Sequence, residues 1–179
     1  MVKADRDEFF KKGEYNDQEK IQYFEGSWFA VPLRDYGYGM GIIVRGAFKT
    51  KGGLGYFFGP RYTELPTGID TLEKNKSNAI LVCMFGDLGI INGTWPLISE
   101  GKAFSRQDWP VPLFLRNPPY PEDLAYIVDY GQDYSGSGNP ISEKKVNIDE
   151  EILKIPKDSL FGCRAVEIAL AKKLITGIK

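Results

Sequence analysis

Histidine is absent from the 179-residue sequence, and this absence narrows the chemistry open to the chain. A serine, cysteine or threonine nucleophile is usually activated by an adjacent histidine, and histidine is also the commonest side-chain ligand of metals. A histidine base and a histidine-ligated metal are therefore excluded. Binding is a better first expectation than hydrolysis, and the sequence predicts neither a catalytic residue nor a cofactor.

Cysteine is scarce. Cys83 lies in an apolar run and Cys163 in a predicted helix, without the close spacing of a zinc knuckle or a redox pair. Free cysteine is among the residue types most often buried, and a reducing cytosol keeps it unpaired. The sequence therefore predicts two buried, unpaired thiols.

Long hydrophobic runs are also missing. No stretch approaches the ~20 apolar residues of a membrane span, and the charged start of the chain has no apolar core of signal-peptide length. We therefore expect a cytoplasmic protein with no membrane partner.

Charge of one sign is not in excess, because 23 Lys and Arg residues face 24 Asp and Glu residues. The formal charge of −1 gives no whole-molecule attraction to nucleic acid, so no nucleic-acid partner is expected. A nucleic-acid or scaffold-binding module stays an alternative. Its nearest basic and aromatic residues are Arg45, Lys49, Lys51, Arg61 and Tyr62.

Without histidine, a metal site would depend on carboxylates, with magnesium or manganese as the ion. The candidates are Asp35, Asp87, Asp129 and Asp133. Single acids scattered over turns are far more often solvated, so no metal site is predicted.

The segment from Ser27 to about residue 118 consists of short aromatic and β-branched runs bounded by Asp, Gly and Pro, which predicts consecutive strands. Turns are expected at 33–37, at 51–53 and at Asn92-Gly93. Strands are expected at 79–85 and 89–91, and glycines at 37, 39 and 41 would line one strand face where a side chain would obstruct close packing.

The remainder of the chain predicts fewer elements. PLFLR, LAYIVDY and KVNID suggest further strands, and residues 131–142 form a polar, glycine-rich candidate mobile loop. A helix capped by Asp158 or Ser159 is expected to run through Ile175, with apolar residues at helical spacing.

We therefore predict an α+β fold: a curved antiparallel sheet or partly open β-barrel with a C-terminal helix. The chain is expected to form a single domain, 1–179. Its parts would be a lead-in arm (1–26), a β core (27–118), a loop-rich extension (119–157) and the C-terminal helix (158–176).

The blocks SWFAVPLRDYGYGMGIIVR, GYFFGP, AILVCMFGDLGIINGTWPLI and WPVPLF, in this order, resemble the immunity-protein-26 family of bacterial polymorphic-toxin systems, a family also labelled phosphotriesterase HocA-like. The resemblance covers roughly residues 27–118. It implies a small cytoplasmic protein that binds and neutralises a cognate toxin protein.

The two labels imply different functions. Organophosphate hydrolysis in its familiar form activates water between metals held by histidine and carboxylate, and this chain lacks the histidines. The immunity label requires a stable scaffold with a complementary surface. Toxin binding is therefore favoured over a phosphotriesterase, and self-association is left open.

Candidate partner-binding residues lie on charged turns or are aromatic residues beside prolines, since a few aromatic and arginine anchors commonly carry most interface energy. They are Arg34, Asp35, Tyr36, Arg61, Tyr62, Asp87, Trp95 and Trp109. For the polar residues, the alternative to partner binding is a side chain that hydrogen-bonds within its own turn or a solvated charge. For each tryptophan, Trp28 included, the first expectation is a core or rim anchor whose indole N–H finds a partner.

Overall fold

The structure is a computed structural model that describes residues 20–47, 50–69, 74–118 and 124–176. Its strands are β1 (Trp28–Pro32), β2 (Tyr38–Arg45), β3 (Gly52–Tyr62), β4 (Leu81–Gly86), β5 (Leu97–Ser99), β6 (Phe114–Arg116), β7 (Ala125–Asp129), β8 (Ser142–Val146) and β9 (Leu160–Phe161). The α-helices are α1 (Leu88–Ile91) and α2 (Cys163–Thr176).

The central sheet has six strands in the order β5-β1-β2-β3-β4-β9. Strands β1 to β4 follow one another as an antiparallel meander, and β5 pairs antiparallel with β1. The turn predicted at 33–37 connects β1 and β2, so this prediction is confirmed. The turn predicted at 51–53 is placed too late, because Gly52 and Gly53 already belong to β3 and pair with Gly86 and Phe85.

Both faces of the central sheet are buried, because its strands alternate their side chains between two cores. One face, here called the helix face, packs against α1 and α2 and includes Phe29, Phe57 and Phe85. The opposite face packs against a three-stranded sheet of order β6-β7-β8 and includes Met40 and Tyr56. The molecule therefore has three layers, with the central sheet in the middle.

Glycines of β2 allow α2 to lie close to the sheet. A Cβ atom on Gly39 would stand 2.6 Å from Cδ2 of Leu170, and one on Gly41 would stand 2.6 Å from Cζ of Phe29. Leu170 and Val166 are fully buried in this layer. The prediction that alternate glycines keep one strand face clear is therefore confirmed for these positions.

The small sheet is tied to the chain that leads into α2. Arg116 on β6 donates through Nε to Oδ2 of Asp158 at 2.6 Å, and the Tyr130 hydroxyl donates to Oδ1 of the same carboxylate at 2.8 Å. Arg116 also pairs with Glu143 on β8. The carboxylate of Asp158 thus has a structural role in tertiary packing.

The predicted fold class is confirmed as a mostly β fold with a C-terminal helix, but neither sheet closes into a barrel within the described residues. The central sheet is mixed, because β9 runs parallel to β4. The helix begins at Cys163 and not after Asp158 or Ser159, because Leu160 and Phe161 pair with Met84 and Phe85.

Two further predictions are corrected. Residues 89–91 were expected in a strand, but they lie in the short helix α1, whose amides of Ile90 and Ile91 bond the carbonyl of Asp87. The KVNID segment contributes its first two residues to β8, which begins earlier, at Ser142.

The 131–142 loop is anchored to the core at Tyr134, which is buried and donates its hydroxyl to the sulfur of Met84 at 3.2 Å. Its predicted mobility stays a prediction. Most of the predicted lead-in arm lies outside the described residues, whereas Tyr23 belongs to the helix-face core.

Candidate functional site

Five of the eight candidate residues meet at one end of the central sheet. Arg34, Asp35 and Tyr36 form a short 3-10 turn between β1 and β2, and Arg61 and Tyr62 end β3. The pairing of Tyr38 with Tyr62 brings these two segments side by side. These five residues are called the turn surface below.

Four of the five turn-surface residues are exposed, and Tyr62 is half-buried. Tyr36 is 48% exposed, and Arg34, Asp35 and Arg61 are also exposed. None of these three charged side chains forms an ion pair with another described residue. Exposed aromatic and arginine side chains without internal partners have the composition of an interface anchor.

Backbone hydrogen bonds within the turn hold the turn surface in place. Leu33 is fully buried, its amide donates to the carbonyl of Gly37 at 2.7 Å, and the amide of Tyr36 donates to the carbonyl of Leu33 at 3.2 Å. Gly37 has φ of 87° and ψ of −133°, in a region that side-chain-bearing residues rarely enter. The exposed turn is thus fixed to a rigid sheet end.

Asp87 and Trp95 lie away from the turn surface, and both are buried. Asp87 follows β4 at the opposite end of the sheet and accepts a hydrogen bond of 2.9 Å from the Tyr23 hydroxyl. Trp95 is fully buried, and its indole N–H donates to Oε1 of Glu167 at 2.9 Å. In this conformation neither side chain offers a partner surface, which agrees with the expected core role of Trp95.

The eighth candidate, Trp109, lines a cleft of about 810 Å³ on the small-sheet side of the central sheet. Trp28 and Ile42 lie in the same lining, and the Trp28 and Trp109 rings stand 6.0 Å apart in an edge-on arrangement. Phe104 and Lys74 also line this cavity. The cavity bounded by these five residues is called the tryptophan cleft.

The segment that directly follows Trp109 is fixed by hydrogen bonds. The Tyr56 hydroxyl donates to the carbonyl of Pro110 at 2.6 Å, and the Tyr56 ring meets Trp109 edge-on at 5.4 Å. The Gln132 side chain bonds both the amide and the carbonyl of Val111, at 2.9 and 3.0 Å. Trp109 is therefore presented to the cleft by a segment with little freedom to move.

Lys74 is a site residue that the sequence analysis missed. It is 4% exposed, lines the tryptophan cleft, and holds its ammonium 5.8 Å from the centre of the Tyr62 ring. A lysine among polar loop residues carries no sequence signal of burial, because lysine is almost never fully buried. The contact also joins the cleft to the turn surface.

The aspartates considered for a metal site do not form one among the described residues. No group of three or more histidine, cysteine, aspartate or glutamate side chains there could hold a metal ion. Arg45 is 1% exposed and donates to the carbonyls of Gln132 and Val44. Lys49 lies outside the described residues. No helix among the described residues is long and apolar enough to cross a membrane.

Both thiols are unpaired, as predicted. Cys83 is 1% exposed on β4, and burial raises its pKa to about 12. Cys163, at the start of α2, is half-buried; it accepts the amide of Gly89 at 3.0 Å, and burial raises its pKa as well. Neither thiol has the lowered pKa that marks a reactive cysteine.

Buried tyrosines predict an alkaline limit to stability. Burial raises the pKa of Tyr56 and of Tyr134 to about 12, above the ordinary 10.0. Their neutral forms stabilise the fold fully below pH 10, and this contribution is lost as the pH rises toward 12. We expect unfolding free energy to be nearly flat between about pH 6 and 8, where no histidine titrates, and to fall by on the order of 2 kcal/mol per buried tyrosine above about pH 10.

Urea unfolding at a series of pH values, with tyrosinate absorbance followed in parallel, measures this loss. The variant Tyr56→Phe should show a shallower fall above pH 10 than the unmodified chain. Tyrosine titration completed near pH 10 in the folded protein would contradict the prediction.

Comparison with known proteins identifies the family. A family model described as Immunity protein 26 matches residues 24–119, more than half of the chain. This range takes in β1 to β6, the turn surface and the tryptophan cleft, and it agrees with the block resemblance at 27–118. The description of this family carries the immunity label and not the phosphotriesterase label. No curated protein and no solved structure matches the chain. The chain belongs to the immunity protein 26 family.

Proposed function

We propose that this protein is an immunity protein that binds a cognate bacterial polymorphic toxin in the cytoplasm and neutralises it by covering the toxin's active site or substrate groove. Family membership is the observation that carries the proposal. Neutralisation by binding needs no turnover and no cofactor, so it is compatible with a chain that has no histidine.

The turn surface is the part of the molecule that we assign to toxin binding. Tyr36 supplies an exposed aromatic ring, and Arg34 and Arg61 supply guanidinium groups that are not paired with described acids. Because the turn is fixed to the sheet, little conformational entropy is lost when a partner binds. Rigid aromatic and arginine anchors of this kind commonly dominate the binding free energy.

The test of function is co-expression with the toxin encoded beside the gene. The full chain should restore growth of a bacterial host that expresses the toxin, and it should co-purify with the toxin. A chain that neither rescues growth nor co-purifies would refute the immunity proposal.

The surface assignment has a separate test with a matched charge reversal. Arg61→Glu and Tyr36→Ala should each weaken toxin binding by about 30-fold or more, the effect of losing an interface hot spot. Arg164→Glu, an exposed arginine on α2, should change the affinity by less than about threefold because it lies on another layer of the molecule. Calorimetric titration with purified toxin gives the affinities.

Thermal melting of each variant serves as the check on folding, since these exposed substitutions should leave the melting temperature nearly unchanged. If both turn-surface variants bind toxin as the unmodified chain does, toxin binding lies elsewhere on the molecule. Rescue by the unmodified chain would then still support the immunity function.

A further inference from the structure

The tryptophan cleft has the size and shape of a small-molecule site. Its volume of about 810 Å³ lies within the ~300–1,000 Å³ range of ligand pockets, which are mostly apolar with a few convergent polar groups. Trp28, Ile42, Phe104 and Trp109 supply apolar lining from separate segments of the chain. A solvent-facing apolar concavity of this kind favours occupation by an apolar group.

The tryptophan side chains that line the cleft are held in place by packing against each other and against Phe58. Trp28 and Trp109 meet at 77°, and Phe58 packs beneath both rings at centroid distances of 5.6 and 5.9 Å. The 101–104 loop is pressed against Gly26, where an added Cβ would stand 2.4 Å from Cβ of Phe104. Flat aromatic groups pack well against fixed rings in stacked or edge-on geometry.

The lining of the cleft includes a buried cation. Lys74 is 4% exposed, and no described carboxylate lies within 4.0 Å of its ammonium. Its ring contact with Tyr62 stabilises the charge without neutralising it. Burial of an ammonium is costly unless a counter-charge accompanies it, so an anion in the cleft would be held strongly.

The charged residues at the rim of the cleft are also mostly positive. Lys76 and Lys102 are exposed members of the described lining, and Asp108 is the one acidic residue in that lining. Among the described lining residues, three lysines and one aspartate give an excess of positive charge, in a chain whose overall charge is −1. This local field attracts anions despite the balanced composition.

We propose that the tryptophan cleft binds a small organic anion that carries an aromatic ring, with the ring against Trp28 and Trp109 and the anionic group at the Lys74 ammonium. Carboxylate, sulfonate and phosphate groups all fit this chemistry. The site is separate from the turn surface in its lining, although Lys74 and Tyr62 touch, so its occupation is a binding activity beyond toxin neutralisation.

The experiment uses two fluorescent probes of the same shape and different charge. Anilinonaphthalene sulfonate is an aromatic anion, and phenylnaphthylamine is its uncharged analogue. The full chain should bind the sulfonate saturably at one site, more weakly at high salt. Lys74→Met should weaken sulfonate binding by about tenfold or more and change binding of the uncharged probe by less than about threefold.

Lys173→Met is the matched control, because Lys173 lines a separate cleft of about 400 Å³ beside β4 and α2. It should leave the affinity for the sulfonate unchanged. Lys102→Met, at the exposed rim, gives a second cleft variant with little risk to folding and should weaken sulfonate binding by a smaller factor. Melting temperatures establish that each variant is folded.

The proposal is overturned by any of three results: no saturable binding of the sulfonate, an affinity that Lys74→Met and Lys102→Met leave within about twofold of the unmodified chain, or equal losses for both probes. None of these measurements requires a toxin. Failure of the ligand site would therefore leave the immunity proposal untouched, and failure of the immunity proposal would leave the ligand site untouched.

Discussion

Replacement of Gly37 by alanine is expected to destabilise the protein by about 3 kcal/mol or more and to distort the turn surface. A Cβ atom at this position would stand 2.0 Å from the carbonyl oxygen of Tyr62, which is far inside contact distance and involves backbone that cannot rotate away. The backbone conformation itself, with φ of 87°, adds roughly 1–3 kcal/mol of strain for any residue other than glycine. Relief of the clash requires β2 and β3 to separate where Tyr38 pairs with Tyr62.

Urea unfolding measures the loss, and Gly68→Ala is the matched control. A Cβ on Gly68 meets nothing within 4 Å and its φ is not in the left-handed region, so this variant should lie within about 0.5 kcal/mol of the unmodified chain. If the toxin binds at the turn surface, folded Gly37→Ala protein should also lose affinity for it. Equal stabilities of the two glycine variants would show that the sheet end adapts freely to a side chain.

Trp95→Ala should have the largest effect on stability of any single substitution in the helix-face core, with a loss of about 3–5 kcal/mol. Trp95 stacks on Phe29 at 5.6 Å and 5° and on Phe85 at 5.9 Å and 27°. Its ring also fills the space that a Cβ on Gly89 would occupy, at 2.7 Å, so α1 rests on it. Removal of the ring leaves a cavity shared by the sheet and both helices.

Trp95→Phe separates the contribution of the ring from that of its hydrogen bond. Phenylalanine keeps most of the stacking surface but leaves Oε1 of Glu167 without its indole donor, so a smaller loss of about 1–2 kcal/mol is expected. Leu160→Ala, at a side chain that is 72% exposed, should cost less than about 0.5 kcal/mol and controls for truncation alone. A Trp95→Ala loss below that of Trp95→Phe would contradict the cavity argument.

Sequence patterns predicted the elements whose signals are local. Strand periodicity and glycine-rich turns located the β1 to β4 meander, and helical spacing at Val166 and Leu170 located α2. The predictions failed where tertiary contacts determine the secondary structure. Capping residues before α2 suggested an earlier helix start, but pairing of Leu160 and Phe161 with β4 holds that segment extended.

For the two sites as well, local sequence patterns predict some features, and contacts between distant segments determine the others. The exposure of Arg34, Asp35, Tyr36 and Arg61 was predictable from the composition of charged turns, whereas the strand register that brings Arg61 to the first turn was not. Their role in binding stays a prediction. The short apolar run at 89–91 does not distinguish a strand from a helix by periodicity. The tryptophan cleft joins segments around positions 26–28, 42, 69, 74–77 and 99–109, and no pattern within a single segment predicts it.

The covering of the helix face by α2 has a consequence for synthesis at the ribosome. Strands β1 to β4 are complete at Gly86, whereas the helix that covers Phe57 and Phe85 ends at Thr176. Translation of the intervening 87–176 segment takes roughly 5–20 s at the usual rate of about 5–20 residues per second. During that interval the nascent sheet has a bare apolar face and an unpaired β4 edge, so the growing chain depends on chaperones, or on delayed sheet formation, to escape aggregation.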